Sequence, residues 1–181
     1  MKNKKQGTIP LIYLLGMPII FIVANFLART HIEILGSPLY FSVLLYPLTY
    51  FVSALIVKKA GYKKSLLVMS ITLITTALAY VIQWSILNKM DCLVMIYSFL
   101  SFLIGQLIFI YTYDFLIKIN KDTYGWVFIL FLGVSAIDNA FFGAIIEGEY
   151  ISLSILVRVI YAVVIPAILA KKTEIKGKIK K

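Results

Sequence analysis

The chain has 181 residues, of which 61% are hydrophobic and 14% charged, with a mean hydropathy of +0.95. Soluble domains carry about 25% charged residues, so the composition excludes an ordinary soluble domain and points to an integral membrane protein. A single cysteine, Cys92, and a single histidine, His31, exclude an intrachain disulfide, a four-thiolate metal site and Ser/His/Asp machinery.

The formal net charge of +10 is no sign of a nucleic-acid partner, because the lysines fall in short tracts between and after apolar runs. Apolar windows of about 20 residues predict an all-α bundle of six transmembrane helices in one membrane domain spanning residues 1–181. They run from Ile9 to Ala28, Leu39 to Val57, Ser65 to Leu87, Leu93 to Ile117, Trp126 to Ile146 and Ile151 to Ala170. The connections are too short for a soluble domain.

Lysines fix the expected orientation. Lys2, Lys4 and Lys5 precede the first span, Lys58, Lys59, Lys63 and Lys64 follow the second, Lys118 and Lys121 follow the fourth, and Lys171 to Lys181 form a basic tail. The other side receives only Arg29 and Lys89, so both termini are expected to be cytoplasmic and the protein multi-pass in the plasma membrane. The first apolar run is longer than a secretory h-region and lacks a small-x-small cleavage site before Arg29, so it reads as a span. The tail reads as a solvated run touching anionic headgroups.

Polar residues at helical spacing mark faces turned away from lipid. The second span carries Tyr46, Thr49, Tyr50 and Ser53, and the third Thr72, Thr75, Thr76, Tyr80 and Gln83. Ser101, Gly105, Gln106 and Tyr113 lie on the fourth, and Asn25 is the one amide of the first. The fifth groups Ser135, Asp138, Asn139 and Phe142, and the sixth Ser154, Arg158 and Tyr161.

Full charges inside spans cost about 2.5 to 3.5 kcal/mol each on insertion scales, which makes Asp138 and Arg158 the residues to explain. At ~1.5 Å per residue both lie at one depth, and neighbouring helices would bring them within pairing range. Two readings stay open, a helix clamp alone or a clamp that also touches a ligand. Pro10, Pro18, Pro47 and Pro166 fall within spans, where a missing backbone donor frees carbonyls. Asp114 reads as interfacial, and His31, Glu33, Glu147 and Glu149 as outer-loop residues.

Asn25-Phe26-Leu27, Ile34-Leu35-Gly36, Tyr46-Pro47-Leu48-Thr49-Tyr50, Gly61-Tyr62-Lys63-Lys64, Gly105-Gln106-Leu107, Asp138 with Phe141-Phe142, and the basic Arg158 together resemble the putative vitamin uptake family, which includes queuosine-precursor transporters. The resemblance runs from about Asn25 to Pro166 through short motifs. It implies uptake of a small planar solute, a deazaguanine-type base or a vitamin-like compound. Asn25 and Gln106 would then read a heterocyclic amide and Asp138 an exocyclic amine, with Tyr46, Thr49, Asn139 and Arg158 completing the binding set. Ala54 and Phe109 stand where that family usually carries acids, Lys58 or Lys59 where it has another, and Arg158 where lysine is common.

Three functions follow as expectations: a transporter working by alternating access, a substrate-capture subunit served by a separate ATPase module, or a structural membrane protein. The expected partners are a small-molecule substrate, the lipid bilayer and, for assembly, a second copy or that ATPase module. No nucleophile with a base and no set of metal ligands stands in the spans, so neither an enzyme nor a cofactor or metal is expected.

Overall fold

In a computed structural model, residues 10–28, 30–34, 37–87, 92–143 and 151–178 are described. Six helices and one hairpin follow in order: α1 Leu11–Phe26, β1 His31–Ile34, β2 Ser37–Tyr40, α2 Phe41–Ala60, α3 Tyr62–Leu87, α4 Cys92–Lys118, α5 Tyr124–Gly143 and α6 Ile151–Lys178.

The helices start and stop for local reasons. Pro10 precedes α1 with φ −58°, where a missing N–H costs nothing. Gly61, at φ 87°, ends α2 and lets α3 begin at once, a conformation that suits a residue without Cβ. Asn120 ends the α4 turn at φ 54°, and Lys121 N–H donates to the Leu116 carbonyl at 2.8 Å, a Schellman-type closure.

Phe41–Ala60, Tyr62–Ser85 and Ile96–Lys118 are long and apolar enough to cross a membrane. Leu11–Phe26, Tyr124–Asp138 and Ile155–Leu169 are shorter apolar helical stretches. Around the outside, Leu11, Ile74, Leu78, Phe115 and Ile129 are each more than half exposed, which fits a surface solvated by lipid.

α2 is the central element, 67% of its apolar window being buried against 33% for α3 and 44% for α4. It touches α1, α3, α4 and α6, while α4 packs along α5 and α5 along α6. The core beside it is aromatic. The rings of Phe21 and Phe102 lie 4.0 Å apart between centroids, and Phe109 packs against Tyr50 and Phe131 at 5.4 and 5.0 Å.

Two expected boundaries shift. The second span does not begin at Leu39, because Leu39 and Tyr40 belong to β2, which pairs antiparallel with β1 in the register His31↔Tyr40 to Ile34↔Ser37. The helical bundle stands as expected, with this short hairpin added to it, whose alternating His31, Ile32, Glu33 and Ile34 form a short strand pattern hidden among loop residues. The last helix continues past Ala170 to Lys178, since alanine, lysine and glutamate are good helix formers wherever solvated.

Candidate functional site

α2 and α4 face each other with polar side chains in an otherwise apolar core. Both sequences contribute at helical spacing, Tyr46, Thr49, Tyr50 and Ser53 from one and Ser98, Ser101, Gly105 and Gln106 from the other. Asp138 arrives from α5 and Arg158 from α6. All of these side chains that bear polar atoms are buried.

The first half of the cluster centres on Asp138. The Tyr50 hydroxyl donates to both of its carboxylate oxygens, at 2.9 Å to Oδ1 and 2.8 Å to Oδ2. Ser101 Oγ donates to Oδ1 at 2.7 Å. Arg158 Nη1 stands 3.8 Å from Oδ2 and donates to the Ser135 carbonyl at 3.3 Å. Charge-assisted hydrogen bonds from guanidinium to carboxylate are about 2.7 to 2.9 Å long, so the hydroxyls hold Asp138 more closely than its counter-charge does.

Gly105 makes room for this arrangement. A Cβ there would collide with the Tyr50 hydroxyl and lie 3.2 Å from Asp138 Oδ1. Any side chain at 105 would push Tyr50 off the carboxylate.

The second half centres on Gln106, which is fully buried. Its Nε2 donates to Thr49 Oγ1 at 2.9 Å, and Thr49 Oγ1 donates to the Tyr46 carbonyl at 2.7 Å. Ser53 Oγ donates to Gln106 Oε1 at 2.6 Å. Both ends of the amide are thus fixed, and its orientation is determined by its neighbours.

Of the residues expected from the sequence, Tyr46, Thr49, Gln106, Asp138 and Arg158 share this seam. Asn25 does not join it. Its Nδ2 donates to the Phe21 carbonyl at 2.8 Å and its Oδ1 accepts from Tyr80 at 3.3 Å, forming a separate link between α1 and α3. The side chains of Asn139, Phe141, Phe142 and Ser154, and the acids Glu147 and Glu149, lie outside the described residues. Asp114 pairs with Lys118 at 2.6 Å, one turn along α4.

Tyr50, Ser53, Ser101, Gly105 and Ser135 complete the site although sequence reasoning names the first four only as members of stripes and the last only as a neighbour of Asp138. Their signal is spacing: Tyr50 is four residues from Tyr46, and Ser101 is four from Gly105, on the same face. Tyr161 on α6 donates to the Leu44 carbonyl of α2 at 2.8 Å, next to the Val43 carbonyl whose helical donor Pro47 removes. Ala54 and Phe109, where the resembled family carries acids, are both fully buried, Phe109 against the Tyr50 ring.

Among the described residues, no group of three or more His, Cys, Asp or Glu side chains could hold a metal ion. Comparison of the chain with protein-family models, with curated proteins and with solved structures returns no match. Fold and site together define the class: a helical bundle, three of whose helices are long and apolar enough to cross a membrane, with a buried polar seam that includes an Asp and Arg pair.

Proposed function

We propose that this chain is a multi-pass membrane transporter for a small planar polar solute, with six spans, both termini cytoplasmic, and the Asp138 and Gln106 seam as its binding site. One observation carries the reading: four helices converge a carboxylate, a guanidinium, a carboxamide and a set of hydroxyls on one buried region. Ionisable groups at such depth are rare in membrane proteins and usually line a solute path. The amide of Gln106 supplies a donor and an acceptor for a heterocyclic edge, and the aromatic core supplies faces for a ring.

The solute would exchange with internal bonds rather than add to them. Tyr50 holds both carboxylate oxygens with one hydroxyl, so a modest rotation releases an acceptor. A second reading, a structural clamp, is favoured by the completeness of the hydrogen bonds to Asp138 and Gln106. The two separate by whether removing these groups abolishes transport while the bundle stays folded.

The resemblance to queuosine-precursor transporters supplies the first solute to test. Cells unable to make deazaguanine bases are supplied with radiolabelled base, with and without this protein. Uptake that depends on the protein supports the assignment. Normal queuosine in the tRNA of cells without it removes the substrate, and absence of uptake for any planar solute removes the transporter.

A further inference from the structure

Arg158, and not Asp138, is the under-satisfied charge of the seam. Its side chain is 5% exposed, yet among the described residues its guanidinium makes one hydrogen bond, from Nη1 to the Ser135 carbonyl at 3.3 Å. Nε is buried with no partner. A guanidinium has five N–H donors, and leaving a buried charged donor unmet is costly, so such a group calls for an acceptor.

Nη1 faces Asp138 and Ser135, and among the described residues Nε, on the other edge of the planar fork beside Nη2, is the donor left without a partner. That edge offers two parallel N–H groups, the arrangement a carboxylate accepts in bidentate fashion. Elsewhere in the seam, Ser98 Oγ, one turn before Ser101 on α4, is fully buried and also lacks a partner among the described residues. The carboxylate of Asp138, by contrast, already receives Tyr50 and Ser101. Those hydroxyls stabilise its charge without neutralising it, so a solute carboxylate on the opposite edge of Arg158 would share the one guanidinium with Asp138.

We propose that the solute carries a carboxylate, and that the Nε edge of Arg158 anchors it. The proposal rests on reading the seam as a solute site and narrows the planar solutes to aromatic acids. It reverses the polarity expected from Asp138 alone, which would favour an amine.

The test uses the full chain in detergent micelles and isosteric pairs that differ only in charge, nicotinate with nicotinamide and benzoate with benzamide. Thermal unfolding is followed at constant ionic strength, with chloride as the reference anion. A saturable rise in Tm with the acids, absent with the amides and lost in Arg158→Gln, supports the proposal. Should Arg158→Gln fail to fold, the paired variant Asp138→Asn with Arg158→Gln removes both charges together and must also lose the rise. Equal stabilisation by amides and acids, a rise retained in the paired variant, or no rise with either acid overturns it. Transport is read separately: uptake of a neutral base that ignores Arg158→Gln removes the anchor and keeps the transporter, whereas acid binding without uptake of any solute keeps the anchor and removes the transporter.

Discussion

The Tyr50 hydroxyl bridges both carboxylate oxygens of Asp138, at 2.9 and 2.8 Å, across 88 residues of sequence, and so ties α2 to α5. Tyr50→Phe keeps the ring against Phe109 and removes only the donor. Hydrogen bonds to charged groups contribute about 1.5 to 3 kcal/mol, so the variant should unfold earlier by about that amount. Thermal unfolding in micelles measures it, and an unchanged midpoint would mean that the bridge does not stabilise the bundle.

Gly105→Ala should act through the same hydroxyl. The new Cβ meets Tyr50 Oη, so the single substitution destabilises, while in a Tyr50→Phe background the colliding atom is gone. A double-mutant cycle should therefore show coupling of more than about 0.5 kcal/mol, with Gly105→Ala less costly when residue 50 is phenylalanine, though its Cβ is still close to Asp138 Oδ1 at 3.2 Å. Additive effects would show that the clash lies elsewhere.

Asp138 and Arg158 should be worth more together than either is alone. Removing one partner of a buried pair costs about 3 to 5 kcal/mol, because the other charge stays buried and uncompensated. Asp138→Asn and Arg158→Gln each lower stability in this account, and the variant with both changes recovers part of the loss. If the double variant is as unstable as the sum of the singles, the 3.8 Å pair is not a functional couple.

Gln106→Leu removes the amide but keeps the volume. Ser53 keeps only its long contact to Met17 Sδ at 3.8 Å, and Thr49 loses its donor while still donating to the Tyr46 carbonyl, at a cost of about 1 to 3 kcal/mol in all. Its effect on uptake should appear mainly in KM if the amide contacts solute in the ground state. A lower maximal rate with unchanged KM would instead make Gln106 part of the moving element.

Much of this was legible in the sequence. Apolar windows locate the helices, although α6 runs on well past its apolar window to Lys178, and counting residues along two of them brings Asp138 and Arg158 to one level, as their 3.8 Å approach bears out. Spacing also found the polar faces of α2 and α4. It did not reveal which polar residues meet, since that depends on how α2 and α4 rotate against α5. Asn25 illustrates the limit: an amide in a span draws attention, yet it caps a local carbonyl and Tyr80. Gly105 illustrates the converse, because a missing Cβ has no chemistry to advertise until Tyr50 and Asp138 are placed beside it. The hairpin is not legible in the sequence, because four-residue strands leave too short a pattern to separate from loop.

The most direct test of the central claim is radiolabelled-solute uptake into proteoliposomes by the wild type, Asp138→Asn and Gln106→Ala, with Ser85→Ala at an exposed position of α3 as the folding and insertion control. Uptake is expected for the wild type and for Ser85→Ala, with a loss of about tenfold or more in each seam variant, as when about 1.4 kcal/mol or more of binding is removed. Folded Asp138→Asn and Gln106→Ala proteins that take up solute at the wild-type rate would contradict it.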